Sequence, residues 1–160
     1  MYLRAAADSD FPFLVDILLH AFNWSGEPTF TKDQLLNTPA VSHYVAGWKR
    51  EQDFGTVAET DDGRPIGAVW ARLLSQADPG YGFVSDAIPE LTMGVLPGHR
   101  GSGAGTALMT AVVEQAQGLG IDALSLSVED ANPARRLYER AGFRKVDRSG
   151  DSDTMLLRLP

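Results

Sequence analysis

The sequence predicts a mixed α/β domain: a sheet with parallel and antiparallel strands, and helices on both faces. Three observations carry that expectation. Strand, helix and strand follow one another across residues 90–128, and such a succession closes as a right-handed parallel crossover. The remaining strand-like and helical stretches alternate less regularly, which suits a mixed sheet. The chain has 160 residues, the length of one domain around one sizeable core. No repeat, low-complexity tract or linker interrupts it, so residues 1–160 are expected to form a single domain.

The elements follow in order. Residues 3–7 read as a first strand. Asp8 or Ser9 can cap a helix with Pro12 in its first turn, and the stripe Phe11, Leu14, Val15, Leu18 and Phe22 keeps helical spacing. Residues 23–32, with Trp24, Gly26 and Pro28, read as a loop, and about 32–50 as a second, weaker helix. Residues 56–59 and 66–73 flank Asp61-Asp62-Gly63-Arg64 as a hairpin. Residues 75–88, carrying Pro79, Gly80 and Gly82, read as loop and turn, and 90–95 as a strand. On that strand Glu90, Thr92 and Gly94 share one face, and Leu91, Met93 and Val95 the other. A helix from about 104 to 117 turns Leu108, Ala111, Val112, Ala116 and Leu119 inward, and Gly118 and Gly120 stop it. Residues 123–128 are β-rich. Asn132-Pro133 opens a helix that Gly142 closes, and 143–148 and 155–159 read as the last strands.

Composition excludes several function classes. Fourteen basic and 21 acidic side chains give a net charge of −7, the wrong sign for general nucleic-acid binding. The absence of cysteine removes disulfides, thiolate zinc sites and a cysteine nucleophile. No apolar run approaches the roughly 18 residues that span a bilayer. The start, Met-Tyr-Leu-Arg, soon becomes acidic, unlike a secretory signal. A cytoplasmic protein without membrane or nucleic-acid partners is expected.

His99 to Thr106 reads H-R-G-S-G-A-G-T at the start of a helical pattern. Alternating glycines let several backbone N–H groups turn toward one point, where the helix dipole adds positive charge. A phosphate or pyrophosphate is the ligand such a loop suits. Gly98 and Gly103 keep the P-loop spacing, but Ala104 and Gly105 stand where its lysine would follow. Gly101 and Gly103 are followed by Gly105, one residue too soon for a dinucleotide fingerprint. Residues 91–113 contain no acid, where the chain's average density would give about three. A bare strand–helix turn, with a buried strand and helix beside it, would leave the same trace.

In the later helix Ala134, Leu137, Tyr138 and Ala141 share one face, so Tyr138 points toward the sheet. On spacing alone it is a core tyrosine. Arg135, Arg136, Arg140, Arg144, Lys145 and Arg148 are six of the 14 cations within 17 residues. They read either as a solvated face or as neighbours of a polyanion.

Together, the strand L-T-M-G-V, the loop R-G-S-G-A-G and the helix N-P-A-R-R-L-Y-E-R-A-G-F resemble the GCN5-related N-acetyltransferase (GNAT) superfamily. Arg100, Gly103 and Gly105 match its Gln/Arg-x-x-Gly-x-Gly/Ala loop, and Asn132, Ala134, Tyr138 and Gly142-Phe143 match its later motif. The similarity is strong over about 88–145 and covers only the order of elements before that. It implies a six- to seven-stranded mixed sheet, splayed between strands 4 and 5, with about four flanking helices. It implies acetyl-CoA as co-substrate and no metal. By resemblance Arg100, Gly101, Ser102, Gly103, Ala104, Gly105 and Thr106 cradle the pyrophosphate, Met93 and Val95 pair with the pantetheine arm, and Asn132, Ala134 and Tyr138 complete the coenzyme side.

The activity so implied is N-acetyl transfer to a primary amine, directly and through a tetrahedral intermediate. A backbone N–H on the splayed strand, such as that of Val95, would steady the carbonyl oxygen. Tyr138 is the candidate acid for the departing thiolate. Glu90 is the candidate base, with an exposed strand-start glutamate as the equal alternative. His43 and His99 are further candidate bases, His99 being better placed to contact coenzyme or solvent, and His20 reads as structural. No histidine has a metal-ligand partner at useful spacing. Ser25, Ser102 and Ser127 lack a nucleophile-elbow setting.

Residues 22–54 hold six of the 14 aromatics: Phe22, Trp24, Phe30, Tyr44, Trp48 and Phe54. By resemblance this segment borders the acceptor cleft. Phe22 and Phe54 are expected to pack the helices and Trp24 to wall the cleft, while Asp86 and Glu90 would favour a cationic acceptor. That acceptor is a small-molecule or peptide amine. A non-catalytic acyl-CoA-binding regulatory module is the alternative from another class. Dimers occur among such proteins, and no patch in the sequence specifies one.

Overall fold

The computed structural model describes residues 1–27 and 29–160; Pro28, read as part of a loop, lies outside the described residues. Seven strands, β1 (Tyr2–Ala5), β2 (Phe54–Glu59), β3 (Pro65–Arg72), β4 (Glu90–Val95), β5 (Ala123–Glu129), β6 (Arg144–Ser149) and β7 (Ser152–Arg158), make one sheet in the order β1-β2-β3-β4-β5-β7-β6. All neighbours are antiparallel except β4 and β5, the crossover pair.

Among the described residues five α-helices flank it: α1 (Phe11–Phe22), α2 (Lys32–Leu36), α3 (Pro39–Ser42), α4 (Ala104–Gly118) and α5 (Arg135–Ala141). One core lies under α4 and α5, built on Val69, Leu91, Leu108, Val112, Leu124 and Tyr138. The other lies under α1 to α3, built on Leu14, Ile17, Leu18, Val41, Trp48 and Trp70. Alternation along β4 serves both. Leu91, Met93 and Val95 join the first core, whereas a Cβ on Gly94 would lie 3.0 Å from Ile17 of α1. Among the described residues no helix is long and apolar enough to cross a membrane.

Four local expectations are corrected. Neither Asp8 nor Ser9 caps α1: a 3-10 turn at Asp8–Asp10 precedes it. The Asp10 carboxylate there accepts from Ala7 N–H at 2.7 Å and from the Arg4 guanidinium at 2.8 Å. The expected helix over 32–50 breaks into α2 and α3, because Pro39 cannot donate to a continuing ladder. Turns follow to residue 49, and Arg72 secures them from below. This buried guanidinium pairs with Asp53 at 2.6 Å and donates to the carbonyls of His43 and Ala46. Leu119 lies beyond the end of α4 and is 62% exposed, and Met109 takes its place in the core. Finally, α5 starts at Arg135, with Ala134 as its cap position. Asn132 instead closes a turn, its side-chain oxygen accepting from Ala134 N–H at 3.0 Å.

Candidate active site

A cleft of about 890 Å³ opens where β4 and β5 part. Among the described residues the two strands pair only at Glu90 and Ser125, where Ser125 N–H donates to Pro89 O at 3.0 Å. At the other end Leu96 N–H donates to Ile66 O, on the β3 side. Backbone groups alternate sides along a strand, so those of Met93 and Val95 face the gap, past the bridge at Glu90 and Ser125. A strand edge with free donors and acceptors is a template for an extended ligand.

The edge leads into the glycine loop. Gly101 and Gly103 adopt φ of +77° and +87°, conformations that cost an L side chain 1–2 kcal/mol or so, and Gly103 is the cap residue of the 15-residue α4. Arg100, Gly101, Gly103, Gly105 and Thr106 all line the cleft. The side chains of Ser102 and Ala104 do not: the Ser102 hydroxyl turns back to His99 O at 2.5 Å, and Ala104 is buried in the core. The Arg100 guanidinium bends toward Val95 O, 3.4 Å away. Asn132, Ala134 and Tyr138 line the facing wall with Met93 and Val95.

The cation cluster divides. Arg135, Lys145 and Arg148 converge on the Asp153 carboxylate at 2.6, 3.4 and 2.9 Å. Arg136 and Arg140 instead line the cleft on the α5 side. The cluster thus splits between an ion-pair group on Asp153 and two arginines that border the cleft. Motif matching did not single out these two; the run of positive charge did.

Glu90 is 3% exposed, not the open strand-start glutamate of the alternative reading. Its Oε2 accepts from the Tyr44 hydroxyl at 2.5 Å and from Gly82 N–H at 3.1 Å, while Oε1 is buried without a partner. Burial pushes its pKa up to about 7, against the two hydrogen bonds. Residues 80–82 make the cover. A Cβ on Gly80 would fall 2.2 Å from Glu90 Oε1, and one on Gly82 would fall 2.4 Å from the Leu126 carbonyl carbon of β5. Only glycine lets this strap lie so close. Tyr44 is tied in as well: its hydroxyl accepts from Tyr81 N–H at 2.8 Å, and its carbonyl accepts from the Trp70 indole at 2.9 Å.

Tyr138 is buried in the α4 and α5 core and still reaches the cleft wall. Burial pushes its hydroxyl up to about 12, so it keeps its proton at any physiological pH.

The remaining candidates are sorted by place. His99 lines the cleft beside the loop, and so does His20, which had been read as structural. His43 stays outside the cleft lining, with Nδ1 2.9 Å from Asp78 and its ring edge-on to Tyr44. Asp86 is likewise no part of the lining; it accepts from Gln76 N–H at 2.9 Å. Trp24 walls the cleft as expected, joined by Phe30 and Tyr44. Phe22 walls it too, while packing on the α1 core. Trp48 and Phe54 are core residues. Tyr81 was missed, because nothing in a loop sequence marks where one ring will point.

Comparison with known proteins places this geometry. A family model described as the acetyltransferase (GNAT) family matches residues 12–143. The [ribosomal protein bS18]-alanine N-acetyltransferase of Haemophilus influenzae is 34% identical over 42% of this chain and 49% of its own length. Mycothiol acetyltransferase of Thermobispora bispora is 34% identical over 52% of this chain and 28% of its own length. The matches thus span about half or less of these curated relatives. A Salmonella typhimurium structure solved with its cofactor acetyl-CoA superposes with a TM-score of 0.72 at 22% identity, over the whole of this chain and 94% of the other.

Proposed function

This chain belongs to the acetyltransferase (GNAT) family, and from that premise we propose that it moves an acetyl group from acetyl-CoA to a primary amine. One observation carries the reading: the unpaired edge of β4 at Met93 and Val95 runs from the glycine loop to the buried Glu90 carboxyl. Coenzyme A fits the donor set. Its pyrophosphate suits the amides at the start of α4, with Arg100, Arg136 and Arg140 supplying positive charge, and its amide-bearing arm suits the β4 edge. When bound, acetyl-CoA supplies an activated carbonyl and a thiolate leaving group.

The residues of the chain do the rest. An alkylamine arrives mostly protonated near pH 7. Glu90, ionised and held by Tyr44 and Gly82, takes that proton directly or through a water and frees the nitrogen lone pair. As the new C–N bond forms, the Val95 N–H, which faces the gap, donates to the carbonyl oxygen that gathers charge. As the C–S bond breaks, Tyr138 donates its proton to the sulfur. The second nitrogen proton, made acidic by the new bond, passes through solvent to restore Tyr138, and Glu90 releases the first to bulk water. Net, the ammonium gives up two protons for one acetyl group, one leaving on coenzyme A as its thiol and one going to solvent.

A carboxyl poised near neutrality in the cleft favours turnover over a binding-only module. Release of free thiol from acetyl-CoA, followed across an amine panel, tests the reading. The Tyr138→Phe variant should lose at least tenfold in kcat with acceptor KM little changed. Unchanged turnover would remove Tyr138 as the acid, and absence of thiol release with every amine would remove the activity itself.

A further inference from the structure

The α1 side of the cleft is walled by rings. Phe22, at the end of α1, packs edge-on against Phe30 with centroids 5.6 Å apart, and against Tyr81 at 6.1 Å. Tyr44 lies 6.3 Å from Phe22, and Trp24 continues the wall in the next loop. The rings come from separate stretches, and each stretch is fixed. The Asn23 side chain donates to Phe30 O at 2.9 Å and accepts from the Thr29 and Phe30 N–H groups. The strap that carries Tyr81 is pinned to Tyr44, and Gly82 in it to Glu90. Even so, Tyr81 is 44% exposed.

Apart from the buried Glu90 carboxyl behind Tyr44, the charged side chains of the cleft lie around this wall. Arg100, Arg136 and Arg140 stand with the glycine loop and α5, the phosphate end of the cleft. Glu129 and Asp151 form the rim at the end of β5 and the β6–β7 turn, and His20 is on α1 beside the rings. Half-buried rings held in fixed positions lose little on meeting another ring or a bulky apolar group, and each buried aromatic carries a large apolar area. An ammonium group is drawn to ring faces within about 6 Å. A polyamine offers the rings its ammonium groups but no bulky apolar surface, so it covers less of such a wall.

We propose that the acceptor is a primary amine borne one or two carbons from an aromatic or other bulky apolar group. This rests on the acetyl-transfer reading for its chemistry and on the ring wall for its selectivity. Two sources present such an amine, a free arylalkylamine and the amino terminus of a peptide that begins with a large apolar residue.

The test measures kcat/KM at saturating acetyl-CoA for 2-phenylethylamine, a peptide beginning with phenylalanine, ethylamine and spermidine. At least one aromatic acceptor should exceed both ethylamine and spermidine tenfold or more, and which one leads identifies the source. In Phe30→Ala, and in Tyr81→Ala as a second variant on an exposed loop, that ratio should fall below threefold, whereas Phe30→Trp should keep it. Equal or better use of ethylamine or spermidine overturns the proposal, as does an aromatic preference that both alanine variants retain. If no amine is acetylated, the transfer reading fails, and calorimetry still decides the wall. Binding of 2-phenylethylamine tenfold tighter than ethylamine supports it, and equal or weaker binding overturns it.

Discussion

Glu90 holds its proton near neutrality because burial removes the water that would stabilise its charge. If it is the base, kcat/KM should rise as pH passes through about 7, and Glu90→Gln should abolish that rise and lower the rate by roughly 10²- to 10⁴-fold. Stability must move the opposite way. The folded chain binds this proton more tightly than the unfolded chain does. The resulting stabilisation is therefore complete below the ordinary value of 4.5 and lost as pH climbs to about 7. At about 1.4 kcal/mol per pH unit the loss is on the order of 3 kcal/mol. Urea midpoints at pH 5 and pH 8 should therefore separate more for wild type than for Glu90→Gln, and equal separations would contradict the burial. The Tyr44 hydroxyl bond opposes the upward shift. In Tyr44→Phe the acidic limb of the rate profile should accordingly move to higher pH while the rate at high pH is largely retained. A tyrosine that merely packs would leave the limb in place. Strand alternation assigned Glu90 its face, but its burial depends on Tyr44 and on the 80–82 strap, the former 46 residues away. No local pattern in the sequence encodes such a meeting.

At the scale of elements, legibility follows how local the cause is. Both β4 and α4 lie within a residue of expectation, because alternation, the glycine loop and helical spacing are all written inside them. The stretch 32–50 failed because its order comes from Arg72 and Asp53, tertiary partners that no helical period announces. The glycine loop was legible as a motif but not side chain by side chain. Gly103 needs its positive φ, whereas the Ser102 side chain turns away from the cleft. Gly103→Ala should therefore weaken coenzyme A binding about tenfold by calorimetry, a cost near that of forcing alanine into the left-handed region. Ser102→Ala should change binding less than threefold. Equal losses in the two variants would mean that the loop binds through its side chains.

For the whole molecule, sheet type was readable because strand, helix and strand follow one another across residues 90–128 and the long helices keep an apolar face. The acceptor side was not, since three stretches distant in sequence assemble it. Relatives leave it open too, for the two curated matches name different acceptors and overlap only part of this chain. The solitary β4–β5 contact has a mechanical consequence. Among the described residues the sheet is two leaves, β1 to β4 and β5 to β7, stitched at one pair of residues. A ligand laid in the seam would close it. Amide exchange at Met93, Val95 and the facing stretch of β5 should be quick in the free protein and slow several-fold with coenzyme A, while the β2–β3 hairpin keeps its rate. The enzyme would then complete its own sheet only while loaded, with the coenzyme serving as the missing backbone between its halves.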